Sequence, residues 1–148
     1  MATYKGVFRP HNPQKYKGNP NNIVYRSRWE LICMQKFDQH PDVLEWSSEE
    51  IIIPYRSPID GKTHRYFPDF YLKRKAVDGS IDTLIIEVKP LHETAPPKVM
   101  TGKPTRRYLT EVAKWGINSA KWEMARQFCA SKGWKFEIIT ERELGLTF

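Results

Sequence analysis

The sequence predicts an α/β fold, and three observations predict it. Apolar residues recur at helical spacing after Ser27 and again before Gly133. Between these stretches, apolar strand-like runs are separated by turn residues. The most apolar run, Thr83 to Lys89, reads as the centre of a sheet rather than its edge. In chain order the elements are helix, three strands, helix, strand. A chain of 148 residues argues for one domain, large enough to bury roughly 70% of the surface its unfolded form exposes.

Residues 1–24 are rich in Pro, Asn, Gly, Lys and Tyr and show no regular period, so an extended basic arm is expected, with residues 25–148 as the folded domain. Tyr4, Phe8, Tyr16 and Tyr25 are available to anchor the arm. The first helix is expected to start near Ser27, with Trp29, Ile32, Cys33 and Phe37 on one face. His40-Pro41 ends it, because the residue before proline disfavours helix. Ile51–Ile53 reads as a strand, 57–61 as a turn, and Thr63–Leu72 as the antiparallel partner. After a turn at 77–80 comes Thr83–Lys89, in which Leu84, Ile86 and Val88 face one way and Ile85, Glu87 and Lys89 the other. Residues 90–107 hold four prolines and read as a long loop, a length that is often functional. The second helix is expected in two parts, Tyr108–Trp115 and, after Gly116, a stretch capped by Asn118 and running to Lys132. Gly133 stops it, and Trp134–Thr140 is the last strand, with a short turn of helix over Glu141–Leu144.

Composition excludes several classes. No apolar run approaches the ~18 residues of a membrane helix. The N-terminal residues lack the apolar core of a secretory signal. Cys33 and Cys129 form no disulfide framework and read as reduced core thiols. The histidines, 11, 40, 64 and 92, are scattered without zinc-site spacing, and no Gly-rich phosphate loop is present, so no nucleotide cofactor is expected. Net charge is +7, and its distribution is more telling. Residues 1–29 carry Lys5, Arg9, Lys15, Lys17, Arg26 and Arg28 and no acid. Residues 98–107 carry Lys98, Lys103, Arg106 and Arg107 and no acid. Such stretches suit a polyanion, with nucleic acid the default partner, although a solvated basic surface is the plainer explanation.

The chemistry concentrates on Glu87 and Lys89. Two residues apart on a strand, they point to one face. In isolation such a pair is usually a polar, solvent-facing edge. On a central apolar strand the second face is covered, and both charges then need partners, either each other or a metal ion on Glu87 and a water at Lys89. Asp69 sits in the aromatic run Tyr66-Phe67-Pro68-Asp69-Phe70-Tyr71. Pro68 lacks a backbone donor and marks an edge or a bulge, a place where side chains are re-aimed beside active sites; a Pro-Asp turn between short strands is the alternative. One strand, a turn and the return fit between Asp69 and Glu87, so the two carboxylates can converge. Glu30 either closes a capping box with Ser27 or points toward these acids. Lys121 shares a helical stripe with Met124, Ala125 and Phe128, and either snorkels outward or reaches a carboxylate or phosphate. Trp115 and Trp122 read as packing anchors before base-stacking platforms.

Pro68-Asp69 with Glu87-Val88-Lys89 resembles the motif of the PD-(D/E)xK nuclease superfamily. Tyr25-Arg26-Ser27-Arg28-Trp29-Glu30, His40-Pro41, Trp46-Ser47-Ser48-Glu49, His64 to Phe70 and Glu87-Val88-Lys89-Pro90 are similar to the head-completion nucleases of T-even-type tailed phages. Those resemble in turn the endonuclease subunit of Tn7-like transposases, a wider group that Asn118-Ser119-Ala120-Lys121-Trp122 also fits. The resemblance implies a restriction-endonuclease-like αβββαβ core, a mixed central sheet flanked by helices. It implies Asp69, Glu87 and the Val88 carbonyl as metal ligands, Lys89 at the attacking water, and Glu30 and Lys121 as further catalytic groups. Mg²⁺ is the implied cofactor, with Mn²⁺ expected to substitute. DNA is the implied partner, together with phage head or neck proteins, and the two basic stretches, through Arg26, Arg28, Lys98, Lys103, Arg106 and Arg107, are its expected contacts. The implied place is the host cytoplasm or the virion. Two other readings stay open: a non-catalytic protein at the head vertex or DNA end, and a transposase or repair endonuclease outside head assembly.

Overall fold

Leu84 and Ile86 pack toward one helix and Ile85 toward the other, which places a sheet between two helical layers. The structure, a computed structural model, describes residues 5–145. Two short strands, β1 (Gly6–Phe8) and β2 (Ile23–Tyr25), pair antiparallel near the N-terminus. Then follow helix α1 (Arg28–Gln39), strands β3 (Val43–Ser48), β4 (Ile53–Arg56), β5 (Thr63–Tyr66), β6 (Phe70–Lys75) and β7 (Ile81–Val88), helix α2 (Arg106–Lys132) and strand β8 (Lys135–Ile139). The central sheet has the order β3-β6-β7-β8. β6 runs antiparallel to β3 and β7, and β8 lies parallel to β7, so the sheet is mixed. This mixed sheet flanked by helices fits the expected restriction-endonuclease-like core.

Ser27 caps α1 through its side chain, and the helix ends at His40, before Pro41, as expected. Cys33, Met34 and Phe37 of α1 pack on Trp46, Phe70, Leu72, Leu84 and Ile86. Trp46 is fully buried and meets the rings of Phe8, Tyr16, Phe37 and Phe70 at centroid distances of 4.8–6.4 Å. On the other face Tyr71, Ile85 and Cys129 form a cluster with Phe128, Trp134 and Phe136 beside it. The β4–β5 hairpin packs under α2, with Ile53, Tyr55 and Tyr66 against Trp122 and Ala125. Both cysteines are free and buried. Among the described residues, no helix is long and apolar enough to cross a membrane.

Four local expectations change. β3 was not anticipated; it forms an edge of the sheet and a register shift between Val43 and Glu45 breaks its alternation. The single strand expected over Thr63–Leu72 is two, because Pro68 cannot donate to a ladder and the chain leaves the β4–β5 hairpin there to enter the central sheet. The second helix is continuous from Arg106 to Lys132, so Gly116 does not interrupt it and Asn118 lies buried inside it rather than capping it. The cost of one interior glycine, about 1 kcal/mol, is outweighed by the packing on either side. The N-terminal segment, expected as an extended arm, lies folded against the body. Buried Asp38 accepts from the backbone N–H groups of His11 (2.8 Å) and Asn12 (2.9 Å), Phe8 and Tyr16 are buried, and the Lys17 N–H donates to the Trp46 carbonyl at 2.8 Å. Tyr4, one of the expected anchors, lies outside the described residues.

Candidate active site

Asp69 sits where the chain passes from β5 to β6, directly after the buried Pro68. Its Oδ2 accepts from the Val88 backbone N–H at 2.7 Å, which ties it to the end of β7. Glu87 occupies the penultimate position of β7 on the α2 side of the sheet and is 6% exposed. Its Oε2 accepts from the Tyr66 hydroxyl at 2.6 Å, and its Oε1 lies 3.6 Å from the Lys89 ammonium. The Lys89 N–H donates to the Ile139 carbonyl at 2.9 Å, so pairing with β8 fixes the backbone that carries the ammonium. Asp69, Glu87 and Lys89 therefore gather at one end of β6 and β7.

Electrostatics show how crowded this end is. Burial, and next the Glu87 charge, hold Asp69 well above the usual carboxylate range; the Val88 N–H and Lys89 pull the other way. Burial also raises Glu87, against the opposing effects of the Tyr66 hydroxyl, Lys89, the Asp69 N–H and Lys121. Two carboxylates in a poorly solvated site favour whatever positive charge reaches them. Among the described residues, no three His, Cys, Asp or Glu side chains form a metal-holding cluster.

The other expected residues fall around this pair. Glu30 sits on the helix cap: its N–H donates to Ser27 Oγ at 3.1 Å, and its Oε2 accepts from that hydroxyl at 3.2 Å, where a capping box would use the Ser27 backbone N–H. Its charge also raises Asp69. Burial raises Glu30 itself. Lys121 turns inward, with its ammonium 5.5 Å from the Tyr66 ring centroid and 5.7 Å from that of Tyr55, and it acts on Glu87. The Val88 N–H is engaged by Asp69, on the residue whose carbonyl is expected at the metal. Arg26 is exposed and ion-paired with Glu49, and it feels the charges of Glu30 and Asp69. Arg28, Lys98, Lys103, Arg106 and Arg107 are exposed, the last paired with Glu111 at 3.2 Å.

Two contributors were missed by sequence reasoning. Tyr66 holds Glu87, and the only sign of it was a hydroxyl-bearing aromatic three residues before Asp69. Glu49 has a left-handed backbone (φ 55°), uncommon for a residue other than glycine, and its N–H donates to the Asp69 carbonyl at 3.2 Å. A cavity of about 870 Å³ lies at the opposite end of the sheet, lined by residues such as Arg74, Asp82 and Lys135. It touches neither Asp69 nor Glu87, so size alone does not locate the chemistry.

Residues 40–141 match the TnsA-like endonuclease N-terminal family, a span that includes Asp69, Glu87, Lys89 and Lys121. The chain is 38% identical over 141 residues to the head completion nuclease of Enterobacteria phage T4, covering 93% of this chain and 91% of that protein. The carboxylate pair at the end of β7 thus lies within a matched endonuclease domain, and the chain belongs to the TnsA-like endonuclease family.

Proposed function

We propose that this protein is a Mg²⁺-dependent DNA endonuclease of a tailed phage, acting at head completion after DNA packaging in the host cytoplasm. The observation that carries the reading is the convergence of Asp69, Glu87 and Lys89 at one end of the central sheet. The donor set fits a hard divalent cation, since carboxylate oxygens suit Mg²⁺ and burial with mutual repulsion is relieved by a double positive charge. Asp69, Glu87 and the Val88 carbonyl would hold it. Such an ion, when bound, lowers the pKa of water and offsets charge that builds on the phosphate.

The chain's own residues supply the rest. Lys89 presents its ammonium beside Glu87 and orients the attacking water there. Tyr66 fixes the Glu87 carboxylate in one rotamer, and Lys121 spreads positive potential over the pair. Glu30 adds negative potential at Asp69, which strengthens its hold on a cation. Arg26 and Arg28 on one side, and Lys98, Lys103, Arg106 and Arg107 at the loop leading into α2, carry the DNA backbone as sequence-independent phosphate contacts.

The test is a plasmid-nicking assay with Mg²⁺, with Mn²⁺ and with EDTA, on wild type and Asp69→Ala. Cleavage by wild type with either metal, none in EDTA and none by the variant is expected. Cleavage by a pure Asp69→Ala preparation at the wild-type rate would remove Asp69 from the site.

A further inference from the structure

A smaller cavity of about 220 Å³ lies between α2 and the single turn Leu91–Thr94, which follows Lys89 in the chain. Drug-sized ligands occupy roughly 300–1,000 Å³, so this space suits a single flat heterocycle. His92 and Lys114 form its exposed rim, Glu93 and Trp115 its half-buried walls, and Asn118 its floor.

Two features mark it as built for a ligand. Asn118 is only 7% exposed and lines the cavity, and its amide is not among the buried atoms sealed off without a partner, so it opens on that space. A primary amide offers both a donor and an acceptor to whatever enters. Trp115 is the second feature. Trp122 holds it edge-to-face, with ring centroids 5.9 Å apart and an interplanar angle of 79°, so the indole is a fixed wall.

The cavity also adjoins the chemistry. Asn118 lies one turn ahead of Lys121 and Trp122 on the same face of α2. Lys89, whose ammonium is 3.6 Å from Glu87, also acts on Glu93. The acids around the cavity are already compensated: Glu93 is ion-paired with Lys114 and Glu111 with Arg107, so they do not bar a polyanion.

We propose that this cavity receives the base of an unpaired nucleotide beside the scissile phosphate, stacked on Trp115 and hydrogen-bonded by Asn118. The preferred substrate is then DNA carrying an unpaired nucleotide at the cut, because a base inside an intact duplex must first be unstacked to enter. This inference rests on the endonuclease reading above.

The experiment measures binding in EDTA by fluorescence anisotropy. Wild-type protein is titrated with a labelled duplex carrying one unpaired adenine, and with the same DNA in which that adenine is replaced by an abasic residue. The base-bearing DNA is expected to bind about 5- to 140-fold tighter, the range that stacking one base on an aromatic ring is worth. Trp115→Ala should erase that preference and Asn118→Ala should reduce it, with folding checked by circular dichroism. Equal affinities for base-bearing and abasic DNA would overturn the proposal, and because that comparison uses wild-type protein it does not depend on a variant folding. If the protein nicks plasmid with Mg²⁺ yet ignores the base, the pocket falls and the nuclease reading stands. If it neither nicks nor binds either DNA, both fall.

Discussion

Tyr66→Phe removes one oxygen from the site and leaves the ring in place. The interaction it deletes is a 2.6 Å hydrogen bond from a buried phenol to a buried carboxylate. Hydrogen bonds to charged groups contribute about 1.5–3 kcal/mol. At a urea m value of about 2 kcal/mol/M, the metal-free variant should unfold about 1 M earlier than wild type. The effect also has a pH signature. Burial already holds Glu87 above its usual range and Tyr66 draws it down, so the variant's Glu87 sits higher still. A carboxyl raised in the folded state favours folding while it is protonated, and that contribution is lost as pH rises through its folded value. The difference between variant and wild type should therefore be largest at about pH 7.5 and shrink toward about pH 4, where the carboxyl is protonated in both proteins. The same shift should move the acid limb of the cleavage–pH profile to higher pH. Urea melts at the two pH values, with a cleavage profile, make the assay. Equal midpoints at neutral pH and an unmoved profile would refute the claim that Tyr66 holds Glu87 ready to bind a cation.

The remaining predictions address the site, the DNA surface and the core. Metal-free Asp69→Asn should melt above wild type while losing cleavage, because it removes a carboxylate raised first by burial and then by Glu87; a thermal melt in EDTA reads this. Lys98→Ala with Lys103→Ala should weaken binding on all sequences alike and reduce the log–log salt slope by about 1.8, near 0.9 for each phosphate no longer neutralised; an altered sequence preference would instead make these residues base readers. Trp46→Ala should destabilise the fold by about 3–5 kcal/mol, since a fully buried indole touching four rings leaves a cavity. Urea denaturation checks that value.

Much of the site could be read in the chain because it depends on local order. Glu87 and Lys89 share a strand face by the two-residue period, and Pro68 marks where the ladder must break beside Asp69. Ser27 and Glu30 declare a helix start by their spacing. What escaped depends on residues distant in sequence. β3 was hidden because the register shift between Val43 and Glu45 puts buried Val43, Trp46 and Ser47 at i, i+3 and i+4, the spacing of a helix rather than the alternation of a strand. Tyr66 was hidden because its role follows from the β4–β5 hairpin folding under α2, and nothing in the run Tyr66–Tyr71 says which sheet each half joins. The docking of residues 5–25 turns on Asp38, a buried carboxylate whose partners are backbone N–H groups 26 and 27 residues away. Backbone partners leave no trace in residue type. Lys121 had two open fates from its stripe alone, and only the packing of the hairpin under α2 places its ammonium over the rings of Tyr55 and Tyr66.

The most direct measurement is a crystal soaked in Mn²⁺, with the ion located by its anomalous scattering. One peak touching both the Asp69 and Glu87 carboxylates, with Lys89 beside it, is the predicted result. A peak elsewhere, or none at this pair while Mn²⁺ still drives cleavage, would contradict the assignment of catalysis to this end of the sheet.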